Sequence, residues 1–237
     1  AMAPYVELLH DQIYHKVFRA TALVAVAVTV IAVALAYPFA MALARASMRW
    51  RIVLFAAVLT PLWISVLVRT FSWMLLLETN GPVNRMLVGA GVIERPLSLL
   101  FNQTGVLIGM VHVLLPYAVL PIYAALIRVD PALLRASEGL GASPLRTFLR
   151  VLLPLSMPGV ATGAAFVFLL SLGFFITPAL LGGASSITLS MLIDGFVNER
   201  LAWPLAAAAS MILLVATLVF LALAGRFVVP STMAEVR

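Results

Sequence analysis

The chain has no cysteine in 237 residues, which excludes disulfides, thiolate nucleophiles and cysteine-ligated metals and confines sulfur redox chemistry to methionine. It has a single lysine, Lys16, with no glycine before it. A P-loop needs Gly, four residues, then Gly-Lys-Ser/Thr, because the lysine and backbone amides hold the phosphates, so ATP is not bound through that motif. The three histidines, His10, His15 and His112, form no HExxH, and a metalloprotease site is unsupported. Charged residues make up only 10% of the chain. Residues 1–19, AMAPYVELLHDQIYHKVFR, lack the continuous apolar core of a signal peptide.

What is abundant is apolar surface. Hydrophobic residues are 64% of the chain and its mean hydropathy is +1.14, values that belong to an integral membrane protein. Five stretches, approximately 20–44, 52–77, 104–127, 153–176 and 204–228, are long enough for a hydrocarbon core of roughly 30 Å, which needs about 20 residues. They lack the alternation of barrel strands, so the expected class is all-α. Pro38, Pro61, Pro116, Pro121 and Pro158 fall within or at the ends of these spans, as packed, kinked helices tolerate. A net charge of +6 would suggest nucleic acid in a soluble protein; here the arginines gather at membrane borders, and no nucleic-acid role is expected.

Counting basic residues orients the chain. Arg45, Arg49, Arg51, Arg128, Arg135, Arg146, Arg150, Arg226 and Arg237 fall in one set of connections, nine in all. Lys16, Arg19, Arg85, Arg95 and Arg200 fall in the other, with the acidic Glu7, Asp11, Glu78, Glu94, Asp194 and Glu199. The first set is cytoplasmic by the positive-inside rule, which puts the C-terminus inside and the N-terminus outside. The expected divisions are an external or interfacial segment 1–19, a transmembrane domain 20–228 with a loop at 129–152, and a cytoplasmic tail 229–237. An outside N-terminus is awkward on a five-span chain. Either it inserts N-terminus first or an earlier span is absent from this sequence; absence is the reading adopted, and Ala1 and Met2 could equally be a cloning remnant.

The stretch Asp130 to Gly159, DPALLRASEGLGASPLRTFLRVLLPLSMPG, is a polar island between membrane-length segments. It reads as two short helices in a cytoplasmic loop. Asp130 caps the first, with Pro131 at its first position and Gly139 or Gly141 at its end, and Ser143-Pro144 repeats the start signal. In the second helix Leu145, Phe148, Leu149 and Leu152 recur at helical spacing, with Arg146 and Arg150 on the polar side. Such an element offers one face to a partner or lies on lipid headgroups.

The island resembles the cytoplasmic loop of permease subunits in binding-protein-dependent ABC importers, whose pattern is Glu-Ala-Ala, three residues, Gly, nine residues, Ile, any residue, Leu-Pro. Here Gly141 is followed by nine residues and then Val151, Leu152, Leu153 and Pro154. The first half departs: Arg135, Ala136 and Ser137 stand where the family has Glu-Ala-Ala, and the nearby carboxylate is Glu138. LVRTFSWMLLLETNGPVN (Leu67 to Asn84), PLSLLFN (Pro96 to Asn102) and FITPALLGG (Phe175 to Gly183) are similar to segments of the spermidine/putrescine branch, and the likeness runs from about residue 16 to 228. Members of that branch typically have six spans.

The resemblance implies one of two permease subunits of a type I importer, paired with a non-identical second permease, two ATP-binding subunits and a periplasmic solute-binding protein, in a bacterial inner membrane and in contact with lipid. ATP and Mg would bind the separate ATPase, with no cofactor or metal on this chain and no bond of the substrate made or broken. The coupling set would be Arg135, Ala136, Ser137, Glu138, Gly141, Ala142, Ser143, Pro144, Leu145, Arg146, Phe148, Leu149, Leu153 and Pro154. Leu145, Phe148 and Leu149 would anchor in the ATPase groove, with Arg146 and Arg150 as its polar rim. The best substrate reading is a polyamine or similar organic cation. An amino-acid-like, phosphonate or opine-like solute is the alternative, and a secondary transporter a more distant one.

Polar residues at membrane depth come next, since ionisable groups there face a cavity or a partner. Arg69 either lines the path or holds a carboxylate of the paired subunit, or it snorkels to the interface and braces packing. Trp73 is an interface anchor or a ring that holds an amine. His112 reads as a hydrogen-bonded core histidine rather than a proton relay. Gly173, Pro178, Gly182 and Gly183 break a helix end, with Thr177 offering a hydroxyl to a gate or an outer re-entrant loop. Permeases of the polyamine branch often carry a carboxylate near the position of Phe174, where this chain has Phe174-Phe175. Glu78, Asp194 and Glu199 would supply negative charge from outside or contact the binding protein. Ser185 and Ser186 lack an identifiable base and do not make a serine protease.

Overall fold

The computed structural model describes residues 3–183 and 186–228. Ser185, Ala1, Met2 and the tail 229–237 with Arg237 lie outside the described residues. Helices make up the described structure, with no strand among the described residues. The chain opens with α1 (Ala3–His10) and α2 (Gln12–Arg45); Asp11 caps α2 by accepting the Ile13 amide at 2.8 Å. Residues 12–19, expected to belong to a leading external or interfacial segment, are helical and continuous with the first membrane-length helix. There follow α3 (Met48–Trp63), α4 (Val66–Leu77), α5 (Pro82–Gly89) and α6 (Gln103–Leu126). The island holds α7 (Pro131–Gly139) and α8 (Pro144–Thr147), then a π-helical turn at Phe148–Leu152 and α9 (Leu153–Leu172). The chain continues through α10 (Ile176–Leu181), α11 (Leu189–Asn198) and α12 (Trp203–Val228).

Among the described residues four helices are long and apolar enough to cross a bilayer: Gln12–Arg45, Gln103–Leu126, Pro144–Leu172 and Trp203–Gly225. The apolar stretch 52–77, which reads as one span with Pro61 as a possible kink, is sharply broken: Met48–Trp63 and Val66–Gly89 meet at 104°. Pro61 lies in the last turn of α3, the Ile64 amide closes a tight turn onto the Pro61 carbonyl at 3.3 Å, and Ile64 is extended at φ −86°. Beyond the break α4 packs on α6 and α10. The bend is therefore set by tertiary contacts that hydropathy does not register.

The core is a trio of α2, α6 and α9. On α2, Val28, Ala32, Ala36 and Ala40 form a fully buried stripe, facing Met110, Leu114, Ala118 and Ile122 of α6. Small residues matter because apolar association in lipid gains little from water exclusion and depends on close backbone approach. At Gly159 a Cβ would stand 2.5 Å from the Ala125 Cβ and 2.6 Å from the Pro121 carbonyl oxygen. A second, smaller cluster joins α1, α2, α11 and α12 through Leu8, Tyr14, Leu189, Phe196 and Ala209. There the Tyr14 and Phe196 rings meet edge to face at 5.8 Å.

Candidate functional site

The island folds from its local signals. The Asp130 carboxylate accepts the Ala132 amide at 2.8 Å and starts α7. At the other end Gly141 takes φ +82°, its amide bonding to the Glu138 carbonyl and the Ala142 amide to that of Ser137. This paired closure needs the left-handed region, which glycine enters without Cβ strain. Ser143 caps α8, accepting the Arg146 amide at 3.4 Å.

The second half differs from the expected separate short helix. Pro144–Leu172 is one continuous 29-residue helix, so α8 is the first turn of a span. Pro154 cannot donate to a carbonyl one turn back. The widened turn before it, in which the Leu153 amide reaches the Phe148 carbonyl, lets the helix run on.

This registry decides which side chains are free. Phe148, expected as an anchor for a partner, turns inward and meets the Tyr37 ring edge to face at 5.7 Å. Leu152 is buried and Leu153 half-buried, both in the main core. Leu145 and Leu149 stay outward, 66% and 50% exposed. No residue of α7 is buried, and Leu140 at its end is 90% exposed. Arg135, Ala136, Glu138, Gly141, Ser143, Pro144, Arg146, Arg150 and Pro154 are also exposed, while Ser137 and Ala142 are intermediate.

Two polar contacts tie the loop to the bundle. Ser137 and the buried Thr147 share a hydrogen bond at 2.9 Å, joining α7 to α8, and Tyr37 and Ser156 share another at 2.8 Å, joining α2 to α9. Thr147, Tyr37 and Ser156 were missed in the sequence, whose only hint was polar residues recurring on otherwise apolar helical faces.

A second constellation lies at membrane depth where α4, α6 and α10 meet. Arg69 is 8% exposed, and its Nε and Nη1 are buried with no hydrogen-bond partner among the described residues. Thr70 donates to the Val66 carbonyl or shares a proton with Thr177, 3.1 Å away and fully buried. Trp73 donates its indole N–H to His112 Nδ1 at 3.1 Å. An accepting Nδ1 makes His112 a neutral imidazole whose proton sits on Nε2. His112 lines two cavities, one of about 340 Å³ shared with Trp73, Leu107 and Ile31 and one of about 110 Å³ shared with Phe39 and Pro61.

The structure thus brings Arg69, Trp73 and Thr177 together and adds Thr70 and His112. Glu78 stands apart, exposed at the end of α4, where its carbonyl accepts the Asn84 side-chain amide. Asn84 is buried and also exchanges two hydrogen bonds with Leu97, each 2.9 Å, fixing the loop that follows α5. Phe174 packs half-buried on the main core, and Phe175 is 38% exposed. Ser186 is buried with its hydroxyl unpartnered among the described residues.

Similar proteins place this architecture. The spermidine/putrescine transport system permease protein PotB of Escherichia coli (strain K12) is 38% identical over 164 residues, covering 69% of this chain and 59% of the relative. PotB of Haemophilus influenzae is 35% identical over 174 residues, covering 73% of this chain and 61% of the relative. The chain therefore spans about three fifths of the relatives it matches. Among solved structures, a bacterial alginate ABC transporter in complex with a pentasaccharide-bound periplasmic protein aligns with a TM-score of 0.79 at 18% identity, covering 94% of this chain and 81% of the other. The MetNI methionine ABC transporter, in an inward-facing conformation, aligns at 0.62 and 16% identity over 92% of this chain and 97% of the other. These likenesses show a shared all-helical membrane fold. With residues 20–228 matching it, the chain belongs to the family of binding-protein-dependent transport system inner membrane components.

Proposed function

We propose that this chain is a permease subunit of an ATP-driven importer, forming half of the path for a polyamine or similar organic cation delivered by a periplasmic binding protein. The observation that carries this reading is the island: an exposed helix with no buried residue, closed by Gly141 at φ +82° and joined through Ser137 and Thr147 to a continuous span. ATP and Mg reside on a separate ATPase subunit, which grips α7 and the outward leucines Leu140, Leu145 and Leu149. Movement of α7 passes through the Ser137–Thr147 bond into the helix Pro144–Leu172, and through Phe148 and Tyr37 into α2. Two such loops, one from a non-identical second permease, are drawn together when ATP binds, and the bundle opens outward. In this reading the island and the C-terminal end of the chain face the cytoplasm, as the count of basic residues suggests.

The polyamine assignment rests on the names of the E. coli and H. influenzae relatives. A guanidinium repels an ammonium group, so Arg69 does not hold the substrate. It holds a carboxylate of the second permease, while Trp73, Glu78 and Phe175 are left to meet the amine.

The test is reconstitution with the second permease, ATPase and binding protein, measuring binding-protein-stimulated ATP hydrolysis and putrescine uptake. Leu140→Asp is expected to abolish both while the chain still inserts and assembles with the second permease. Unchanged coupling in Leu140→Asp and in Leu145→Asp would sink the proposal.

A further inference from the structure

At the end of the bundle that holds α7, a cavity of about 410 Å³ opens between the α2–α3 turn and the start of the island. The geometry points to this cavity as a binding site for one anionic phospholipid, with Arg45 and Arg51 on the phosphate and an acyl chain on the apolar floor. Arg45 closes α2 and Arg51 sits in the first turns of α3, and both line the cavity. Arg51 is already positioned: its Nη2 donates to the Ala46 carbonyl at 3.1 Å, which leaves Nε buried and without a partner among the described residues. The nearby acid, Asp130, directs its carboxylate to the Ala132 amide instead.

The floor decides between a lipid and a free anion. Met41, Leu126, Leu134 and Leu152 supply apolar surface that inorganic phosphate cannot use. The depth also fits. Trp50, in the same turn of α3 and 67% exposed, is a residue type that settles at the headgroup level, and basic pockets at helix ends are where anionic headgroups bind. Because Pro131 and Leu134 of α7 line the cavity, a bound lipid splints α7 against α2 and α6.

The test uses the full chain alone, in nanodiscs of phosphatidylcholine doped with phosphatidylglycerol, with native mass spectrometry reading which lipid is retained. Each basic side chain near a headgroup is worth about fivefold, so the wild type should enrich phosphatidylglycerol about 30-fold over the bulk ratio. Arg45→Gln with Arg51→Gln should return retention to the bulk ratio. Ala44→Phe, which fills the cavity without changing charge, should do the same and serves where the double variant fails to fold. Arg49→Gln removes an exposed arginine of the same turn that does not line the cavity, and should keep the enrichment. Equal loss in Arg49→Gln, or retention in Ala44→Phe, makes the preference a diffuse surface effect and overturns the site. Displacement by inorganic phosphate alone overturns the lipid in favour of a free anion. Unchanged lipid ratios with Arg51-dependent binding of an ATPase subunit would give the cavity to a protein carboxylate. The lipid readout needs no partner, so its failure is separable from that of the permease reading.

Discussion

Replacing Arg69 by methionine tests the role of the membrane-depth cluster by the sign of its effect. Methionine keeps most of the apolar stem and removes the guanidinium, whose Nε and Nη1 are buried and unpartnered in the isolated chain. An unsatisfied buried polar group costs about 1–3 kcal/mol, so relieving two should stabilise the chain alone by about 2 kcal/mol or more. For a chain of this size that corresponds to a rise in Tm of about 4–8 °C. In the assembled importer the prediction reverses. If Arg69 meets a carboxylate of the second permease, removing one member of a buried pair costs about 3–5 kcal/mol, enough to lower assembly more than a hundredfold. Thermal unfolding of the chain alone in detergent reads the first sign, and co-purification of the second permease reads the second. A lower Tm for the isolated Arg69→Met chain would show that the guanidinium braces the fold. Unimpaired assembly would remove the partner carboxylate from the account.

The close crossing of α6 and α9 predicts a graded glycine series. Gly159→Ala should cost about 1–3 kcal/mol by overpacking against Ala125 and Pro121, Gly163→Ala less because its nearest contact is 3.0 Å, and Gly173→Ala least, having open space around it. Thermal unfolding of the three variants checks the order. Gly141→Val forces a β-branched side chain to φ +82° with no steric neighbour, so about 1–2 kcal/mol of local strain should loosen the turn, lowering stimulated ATP hydrolysis with little change in overall Tm. Phe148→Ala should destabilise the chain by about 3 kcal/mol, because the ring packs on Tyr37 and the core. Leu145→Ala, removing an exposed side chain, should leave Tm unchanged and weaken ATPase binding in a pull-down assay.

The parts of this molecule that were legible in its sequence are those set by local chemistry. Asp130, Pro131, Gly141 and Ser143 act within a few residues of themselves, and their caps and closing turn appear in the structure where their types require. Long apolar runs demand helices for the same reason, since each backbone group must be satisfied within its own segment. What hydropathy could not distinguish was continuity. Trp63 to Val66 carries no residue that forbids a helix, yet the chain turns there by 104° because α4 finds α6 and α10. Pro154 looks like a helix boundary, yet a single widened turn carries the helix through it. These two differences redistribute the candidate site. Continuity through Pro154 fixes the registry of Phe148 inward, and so leaves Leu140, Leu145 and Leu149 as the exposed apolar side chains of the island. Beyond the break, Arg69 is buried on an element that also makes the Thr70–Thr177 and Trp73–His112 contacts, 107 and 39 residues apart in sequence. A guanidinium buried with Nε and Nη1 unpartnered is poorly suited to carry a cation and well suited to receive an anion, and this is the ground on which a partner carboxylate is proposed for it.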